Sequence, residues 1–243
     1  MMTASYRMTC RKQKGFTLLE LMISILVLMI VMGAVFSQVT NIQKTAKTSS
    51  MKLDLTQESR EFVDQFSRDI HMSGYPISRL YQTGWDNTSQ YVATGIVKAS
   101  PTQLLFEGDV YGDGHVYSVS YVYVASDTND PQCPCIRRGV VQKVAGSPLP
   151  ANPDGGAQAT PIYYTEVQGV IDPTNLSQKV FTYFDANGNP IDVGTGVTIA
   201  SAPATVQLID AIKVNLNVRT QQVDMQTGQQ VVHSIASIAE LEN

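Results

Sequence analysis

The chain has 243 residues, of which 17 are Lys or Arg and 21 are Asp or Glu, so that its formal net charge is −4. This acidic balance disfavours nonspecific binding to nucleic acid, because contacts to phosphate groups require Lys and Arg. About 170 residues follow a long helical pattern at the N-terminus, which is enough for one globular head with a hydrophobic core.

The N-terminus joins a basic segment to an apolar run. Residues 1–15 contain four basic residues and no acidic residue, and Glu20 is the only ionisable residue in the run 16–36. A helix of that run rises about 31 Å, close to the roughly 30 Å hydrocarbon core of a bilayer. The positive charge predicts that residues 1–15 stay in the cytoplasm and that the later residues lie outside it. A secretory signal would carry its small-residue cleavage site after the apolar core, whereas Gly15 precedes it.

Residues 14–20, Lys-Gly-Phe-Thr-Leu-Leu-Glu, together with the aliphatic stretch that follows, resemble the class III signal of type IV pilins and type II secretion pseudopilins. The resemblance implies cleavage by prepilin peptidase between Gly15 and Phe16, and N-methylation of the new terminal Phe16. It also implies that Glu20 pairs with the α-ammonium group of a neighbouring subunit. Removal of residues 1–15 leaves 13 basic and 21 acidic residues, a formal charge of −8.

The carboxylate of Glu20 has a physical reason to find a partner. An acidic group at the centre of a membrane helix costs on the order of 2.5 kcal/mol or more, and less near the end of the helix. In a bundle of apolar helices, such a group must meet a cation or be neutralised. We therefore expect Glu20 to set the register between subunits, the alternative being that residues 16–36 form only a signal anchor.

The helical pattern continues beyond the apolar run. Leu55, Phe62, Phe66 and Ile70 form one apolar stripe among charged residues, and Ser73-Gly74-Tyr75-Pro76 predicts that the helix stops near Ser73. The predicted organisation is a cytoplasmic leader (1–15), a transmembrane and assembly half of the helix (16–36), an amphipathic half (37–74) and a β-rich globular head (75–243).

Short β-like runs separated by Gly, Pro, Asn and Asp occupy the head. The alternation of apolar and polar residues over 212–218 predicts a strand with one buried and one wet face. The predicted fold is α+β and pilin-like, with one long N-terminal helix packed on an antiparallel sheet. The predicted strands are Leu104–Phe106, Val116–Val124, Val140–Val144, Ile162–Tyr164, Val180–Phe184, Ile212–Val218 and Val231–Ile238.

Cys133 and Cys135 are the two cysteines that remain once Cys10 leaves with the leader. Export into an oxidising compartment favours a disulfide between them, although one intervening residue makes a tight ring. Free thiols and half of a metal site are the alternatives. No further His or Cys lies nearby in sequence to complete a zinc site.

Oxygen-bearing side chains after residue 184 form a weak candidate calcium site, as do Asp109 and Asp113. An EF-hand loop would need Gly at its sixth and Glu at its twelfth position, where Pro190 and Gly196 stand. A hairpin turn around Asn187-Gly188 is therefore favoured over calcium, and no cofactor is otherwise expected. The calcium candidates are Asp185, Asn187, Asn189 and Asp192.

Nothing in the sequence predicts catalysis. His71, His115 and His233 lack metal-ligand spacing, and no nucleophile elbow, zinc-protease motif or P-loop occurs. The tyrosines at 117, 121 and 123 are expected to pack in the sheet rather than to stack on a ligand. We expect that the protein is not an enzyme and has no small-molecule substrate.

Three further segments resemble PilW-type minor pilins, and J-type pseudopilins share much of this layout. The segments are Arg68–Tyr75, Glu107–Gly114 and Phe181–Gly188. The resemblance implies a minor pilin that helps to initiate or assemble a type IV pilus. Its partners would be other minor and major pilins, prepilin peptidase and, before assembly, lipid of the inner membrane. The head would lie outside the cytoplasm, and after assembly on the pilus or cell surface.

The chain departs from major pilins in two ways. Its helix contains no proline, and no cysteine follows Cys135 to close a C-terminal disulfide loop. The alternatives to a minor pilin are a minor pseudopilin of type II secretion and a pilus-tip adhesin or DNA-uptake module. The acidic charge argues against the DNA-binding alternative, and no nucleic acid is expected as a partner.

Overall fold

The computed structural model describes residues 15–75, 92–128, 131, 133–143, 162–171 and 179–241. The predicted leader thus lies outside the described residues except for Gly15. The chain divides into two compact units, residues 1–47 and 48–243. The boundaries that the sequence predicts after residues 36 and 74 stay predictions.

One long helix, α1, runs from Leu18 to His71. It contains no proline, and Gly33 is its one glycine, so its backbone hydrogen-bond ladder is not interrupted by a missing donor. The helix ends two residues before the predicted stop at Ser73. Gly74 follows with φ of +81°, a left-handed conformation that glycine adopts without steric cost and that commonly follows a helix.

In its described residues, the second unit contains the part of α1 that follows residue 47, two antiparallel sheets and a short helix, α2 (Pro203–Gln207). The described strands are β1 (Ile96–Ala99), β2 (Gln103–Gly108), β3 (Tyr117–Val124), β4 (Cys135–Gln142), β5 (Ile162–Gln168), β6 (Phe181–Phe184), β7 (Pro190–Ile191), β8 (Val197–Thr198), β9 (Ala211–Val223) and β10 (Gln230–Glu240). One sheet has the order β5-β4-β3-β2-β1-β8, and the other has the order β10-β9-β6-β7.

The α+β class and the predicted strands are confirmed, with corrections to their extent and arrangement. Strand β4 begins at Cys135, not at the predicted Val140. The prediction missed the first half of the strand because the Arg137-Arg138-Gly139 segment interrupts its apolar pattern. The sequence indicated neither the short elements β1, β7, β8 and α2 nor the division into two sheets. Pairing between strands distant in sequence decides that division, and local periodicity carries no information about it.

The apolar stripe of α1 lies in the core, as predicted. Leu55, Phe62, Phe66 and Ile70 are all buried. The ring of Phe66 lies 5.4 Å from Tyr121 of β3 and 5.8 Å from Phe181 of β6, measured between ring centroids. One helix side chain therefore contacts both sheets. Such aromatic pairs add about 0.5–1.5 kcal/mol beyond the burial of their apolar area.

Strand β9 follows the predicted half-buried pattern. Ile212, Val214, Leu216 and Val218 are fully buried, whereas Lys213, Asn215, Asn217 and Arg219 are at least partly exposed. The period of two residues therefore identified the buried face of this strand correctly.

A buried ion pair lies on the face of the six-stranded sheet opposite Tyr121. Lys143 Nζ lies 2.9 Å from Glu107 Oε2, and both side chains are fully buried. The ammonium also donates to the carbonyl of Val92, and the same carboxylate oxygen accepts from the Thr94 N–H. These hydrogen bonds partly offset the desolvation of the two charges. The sequence contains no periodic signal that marks either residue as buried.

Candidate processing and assembly site

The predicted cleavage junction lies immediately before the first turn of α1. Gly15, Phe16 and Thr17 precede the helix, which begins at Leu18. Phe16 is largely exposed, and a Cβ atom added to Gly15 would meet nothing within 4 Å. This chain therefore does not itself require glycine at position 15, and a requirement for a small residue there would come from whatever binds the junction.

Thr17 caps the helix, a role that the sequence interpretation had missed. Its Oγ1 accepts the Glu20 N–H at 3.3 Å, and its carbonyl accepts the Leu21 N–H at 3.2 Å. Thr17 and Glu20 stand at the first and fourth positions of the Thr-x-x-Glu pattern that is typical of a capping box. The Thr-x-x-Glu pattern can be recognised in the sequence itself. A carboxylate in the first turn also interacts favourably with the helix dipole.

No other described segment of the first unit covers the apolar run of α1. From Phe16 to Phe36 its large apolar side chains are exposed, with exposed fractions from 44% at Ile25 to 79% at Leu18. This segment is long and apolar enough to cross a membrane, judged by length and composition. Among the described residues, Glu20 forms no ion pair. An apolar surface of this extent requires lipid or other apolar helices to cover it.

Two of the three segments that resemble minor pilins meet at the end of α1. The Gly74 N–H donates to the Glu107 carbonyl, and the Asp109 N–H donates to the Tyr75 carbonyl, each at 2.8 Å. A Cβ atom at Gly108 would lie 2.1 Å from the Met72 carbonyl oxygen, so the close approach of the two segments requires glycine there. The third segment forms β6 and the turn after it.

A carboxylate on the buried side of α1 organises the helix and sheet contact. Asp69 Oδ2 accepts from the Tyr121 hydroxyl and from Arg138 Nε, both at 2.7 Å, and Asp69 Oδ1 accepts from Gln65 Nε2 at 2.6 Å. Burial, and then the charge of Asp69, raise the pKa of Tyr121 well above its usual value, which keeps its hydroxyl protonated as a donor. Asp69 follows Phe62 by seven residues, which places it on the apolar stripe of α1. This spacing in the sequence already indicated that Asp69 is buried.

The tyrosines of β3 fill structural roles. Tyr121 is fully buried against Phe62 and Phe66, which confirms the predicted packing role. Tyr117 is partly buried, contacts the ring of Tyr111 edge-on, and donates to Asp113 at 2.7 Å. That hydrogen bond is the largest cause that raises the pKa of Tyr117 to about 12.

Three of the four candidate calcium residues, Asp185, Asn187 and Asn189, lie in the predicted hairpin turn between β6 and β7, whereas Asp192 follows β7. Asp185 Oδ1 accepts the N–H groups of Asn187 and Asn189, and Asp185 Oδ2 accepts from Asn189 Nδ2. These hydrogen bonds lower the pKa of Asp185. Asp192 faces Lys179 and accepts the Gly194 N–H. Across the described residues, no group of three or more His, Cys, Asp or Glu side chains is placed to hold a metal ion.

Two other predicted site elements have definite places in the structure. Cys133 and Cys135 are joined by a disulfide bond, and Cys135 begins β4. The carboxylate of Asp109 accepts hydrogen bonds from the N–H groups of Asp113 and Gly114. These hydrogen bonds close a loop that contains both acidic residues. The imidazole of His115 lies beside the carboxylate of Asp113 in that loop.

The comparisons with known proteins give a match at the N-terminus alone. Residues 10–36 match the family model described as the prokaryotic N-terminal methylation motif. No curated protein and no solved structure matches the chain. The matched range covers the cleavage junction, Glu20 and the exposed apolar segment, and it implies processing by prepilin peptidase, assembly with other pilins and anchoring in a membrane. The motif indicates a type IV pilin-like or pseudopilin-like protein.

Proposed function

We propose that the protein is a minor pilin that is processed between Gly15 and Phe16 and takes part in initiating or assembling a type IV pilus. The observation that carries this proposal is the position of Glu20. This residue lies in the first turn of an apolar helix surface that the described residues of the first unit leave uncovered, within the matched motif. In this proposal the protein functions by associating with other fibre subunits, with no catalytic step and no small-molecule substrate.

Packing of the apolar helices against one another supplies most of the association free energy in this proposal. Because the precursor helix leaves lipid rather than water, this free energy comes from close van der Waals packing and not from the roughly 25 cal/mol per Å² that transfer from water provides. Apolar contacts alone tolerate sliding of one helix along another. A single carboxylate that must meet the terminal ammonium of a neighbour does not, because a shift by one turn leaves both charges unpaired.

The cap at Thr17 is separable from the pairing of Glu20 by substitution. Glu20→Gln keeps a side chain suited to the capping box but removes the charge, whereas Thr17→Ala removes the cap and keeps the charge. We expect both variants to be processed. We expect Glu20→Gln and Glu20→Ala to lower incorporation into fibres on the order of tenfold, which corresponds to about 1.4 kcal/mol, and Thr17→Ala to lower it much less.

The assay is quantitative immunoblotting of sheared fibres and of membranes, with leader removal checked by mass spectrometry. Normal incorporation of Glu20→Gln would contradict the pairing argument. Deletion of the chain separates the alternatives. Loss of pili with intact protein secretion supports the pilus role, whereas loss of secretion with intact pili assigns the chain to a type II secretion pseudopilus.

A further inference from the structure

Strand β10 forms one border of the four-stranded sheet. It pairs with β9 along its length, from Gln230 opposite Val223 to Glu240 opposite Ala211. No other described strand pairs with its second side. Its 11 residues extend about 37 Å at 3.4 Å per residue. Along this border, alternate residues direct their N–H and C=O groups away from β9.

The other three border strands of the described sheets are protected, whereas β10 is not. Strands β7 and β8 have two residues each. Strand β5 contains Glu166, and the N–H of Gln168 at its end donates to the Glu58 carboxylate at 2.7 Å. By contrast, β10 contains no proline, its one acidic residue, Glu240, is its last residue, and residues 230–239 include no Asp, Glu, Lys or Arg. Soluble proteins normally protect long border strands with such residues, because an open border pairs with other chains.

The burial of β10 also indicates an incomplete sheet. Ile235 lies directly opposite Leu216, yet Ile235 is partly exposed whereas Leu216 is fully buried. On the other face of β10, Val232 and Ile238 are 58% and 57% exposed. A further strand beside β10 would cover these side chains and satisfy the open backbone groups.

We propose that β10 is a docking site for an extended segment of a different subunit, which adds to the four-stranded sheet as a fifth strand. This inference rests on the proposed function for the identity of the partner as a fibre subunit. A strand backbone is the occupant that the row of open N–H and C=O groups fits, because its hydrogen bonds repeat with the same spacing.

The charges beside β10 favour a different subunit over a second copy. On the exposed face of the sheet, Lys213 lies opposite Ile238 and Arg219 lies opposite Val232. A segment with acidic side chains on that face complements these two cations. A second β10 would instead bring a second Lys213 and Arg219 to the same face of one continuous sheet.

A depression of about 490 Å³ adjoins the border on this face. Ser234 and Ala236 of β10 line it together with Asn215 and Asn217 of β9 and with Lys179, whose ammonium lies 3.4 Å from the Asp192 carboxylate. The small side chains of β10 leave room there for a larger side chain from the added strand. The segment expected to dock therefore has a bulky residue at its centre and acidic residues towards its ends.

The test is photo-crosslinking with the full-length protein in cells that contain its assembly machinery. A photoreactive amino acid is placed in turn at Val232, Ser234 and Ala236, and the crosslinked partner peptides are mapped by mass spectrometry. We expect all three positions to crosslink to one segment of another subunit, and the partner site to move by about two residues at each step. Unordered crosslinks, crosslinks to β10 of a second copy, or no crosslink from normally accumulated protein would each overturn the proposal.

Charged substitutions provide a matched comparison. Val232→Glu and Ile238→Glu place a negative charge opposite Arg219 and Lys213 at exposed positions of β10, where it repels an acidic segment, and we expect each to lower crosslinking from position 234 at least tenfold. Tyr164→Glu makes the same type of change on the protected strand β5, where Tyr164 is exposed, and should leave that crosslink unchanged. Equal yields from all three variants would refute docking at β10.

These outcomes are distinguishable from failure of the proposed function. If Glu20→Gln assembles normally while the ordered β10 crosslinks persist, the pairing argument fails and the docking site stands. If Glu20→Gln is defective and the β10 crosslinks are absent, the docking site fails and the proposed function stands.

Discussion

Replacement of Asp69 by alanine is expected to destabilise the second unit strongly. The substitution removes the acceptor of the Arg138 guanidinium and of the Tyr121 hydroxyl, both at 2.7 Å. Loss of one partner from a buried ion pair costs about 3–5 kcal/mol. The Arg138 side chain keeps 14% of its surface exposed, so water partly compensates the orphaned cation and the lower end, about 3 kcal/mol, applies.

The assay is thermal unfolding of the processed full-length protein in detergent, followed by far-UV circular dichroism. At about 2–4 °C per kcal/mol for a unit of this size, Asp69→Ala should lower Tm by about 6–12 °C. Asp69→Asn, which keeps an acceptor but not the charge, should have a smaller effect. Asp64→Ala changes an exposed carboxylate on the same helix and should alter stability by no more than about 0.5 kcal/mol. Equal Tm values for Asp69→Ala and Asp64→Ala would refute the inferred role of this network.

Three further outcomes are expected. Gly15→Val should block leader removal without a change in Tm, since the fold leaves space at Gly15; a processed Gly15→Val protein, detected by mass spectrometry, would contradict this. Exported protein alkylated without reductant should show no free thiol at Cys133 or Cys135, and labelling of both would exclude the disulfide. Calcium at millimolar concentration should leave Tm unchanged, because the Asp185 carboxylate already accepts three hydrogen bonds of its own turn; a rise in Tm that Asp185→Asn abolishes would restore the calcium site.

The helix and most strands were predictable because their signals are local. The stripe of Leu55, Phe62, Phe66 and Ile70 repeats at helical spacing, and residues 212–218 alternate at strand spacing. Strand β4 was predicted too short, because two arginines at its centre resemble a solvent-exposed segment. One of them, Arg138, is instead held against Asp69.

The candidate site divides in the same way. Cleavage after Gly15 stays a prediction that the resemblance of residues 14–20 implies, whereas the position of Glu20 as the lone carboxylate of the apolar run is read directly from consecutive residues. The methylation motif found at residues 10–36 covers both. The cap at Thr17 was equally legible but was missed. The contact between Gly74 and Glu107, which brings two of the resemblance segments together, depends on a backbone approach that neither segment encodes alone.

Sequence by itself determined the apolar segment and its lone carboxylate, and it predicts the processing junction, because charge, hydropathy and helical period act over a few neighbouring residues. Only the tertiary structure decided that the described strands form two sheets, that Lys143 and Glu107 are buried together, and that no second described strand pairs with β10. Each of these features depends on contacts between residues that are far apart in the chain. The free energy of such contacts depends on the packing of the whole second unit.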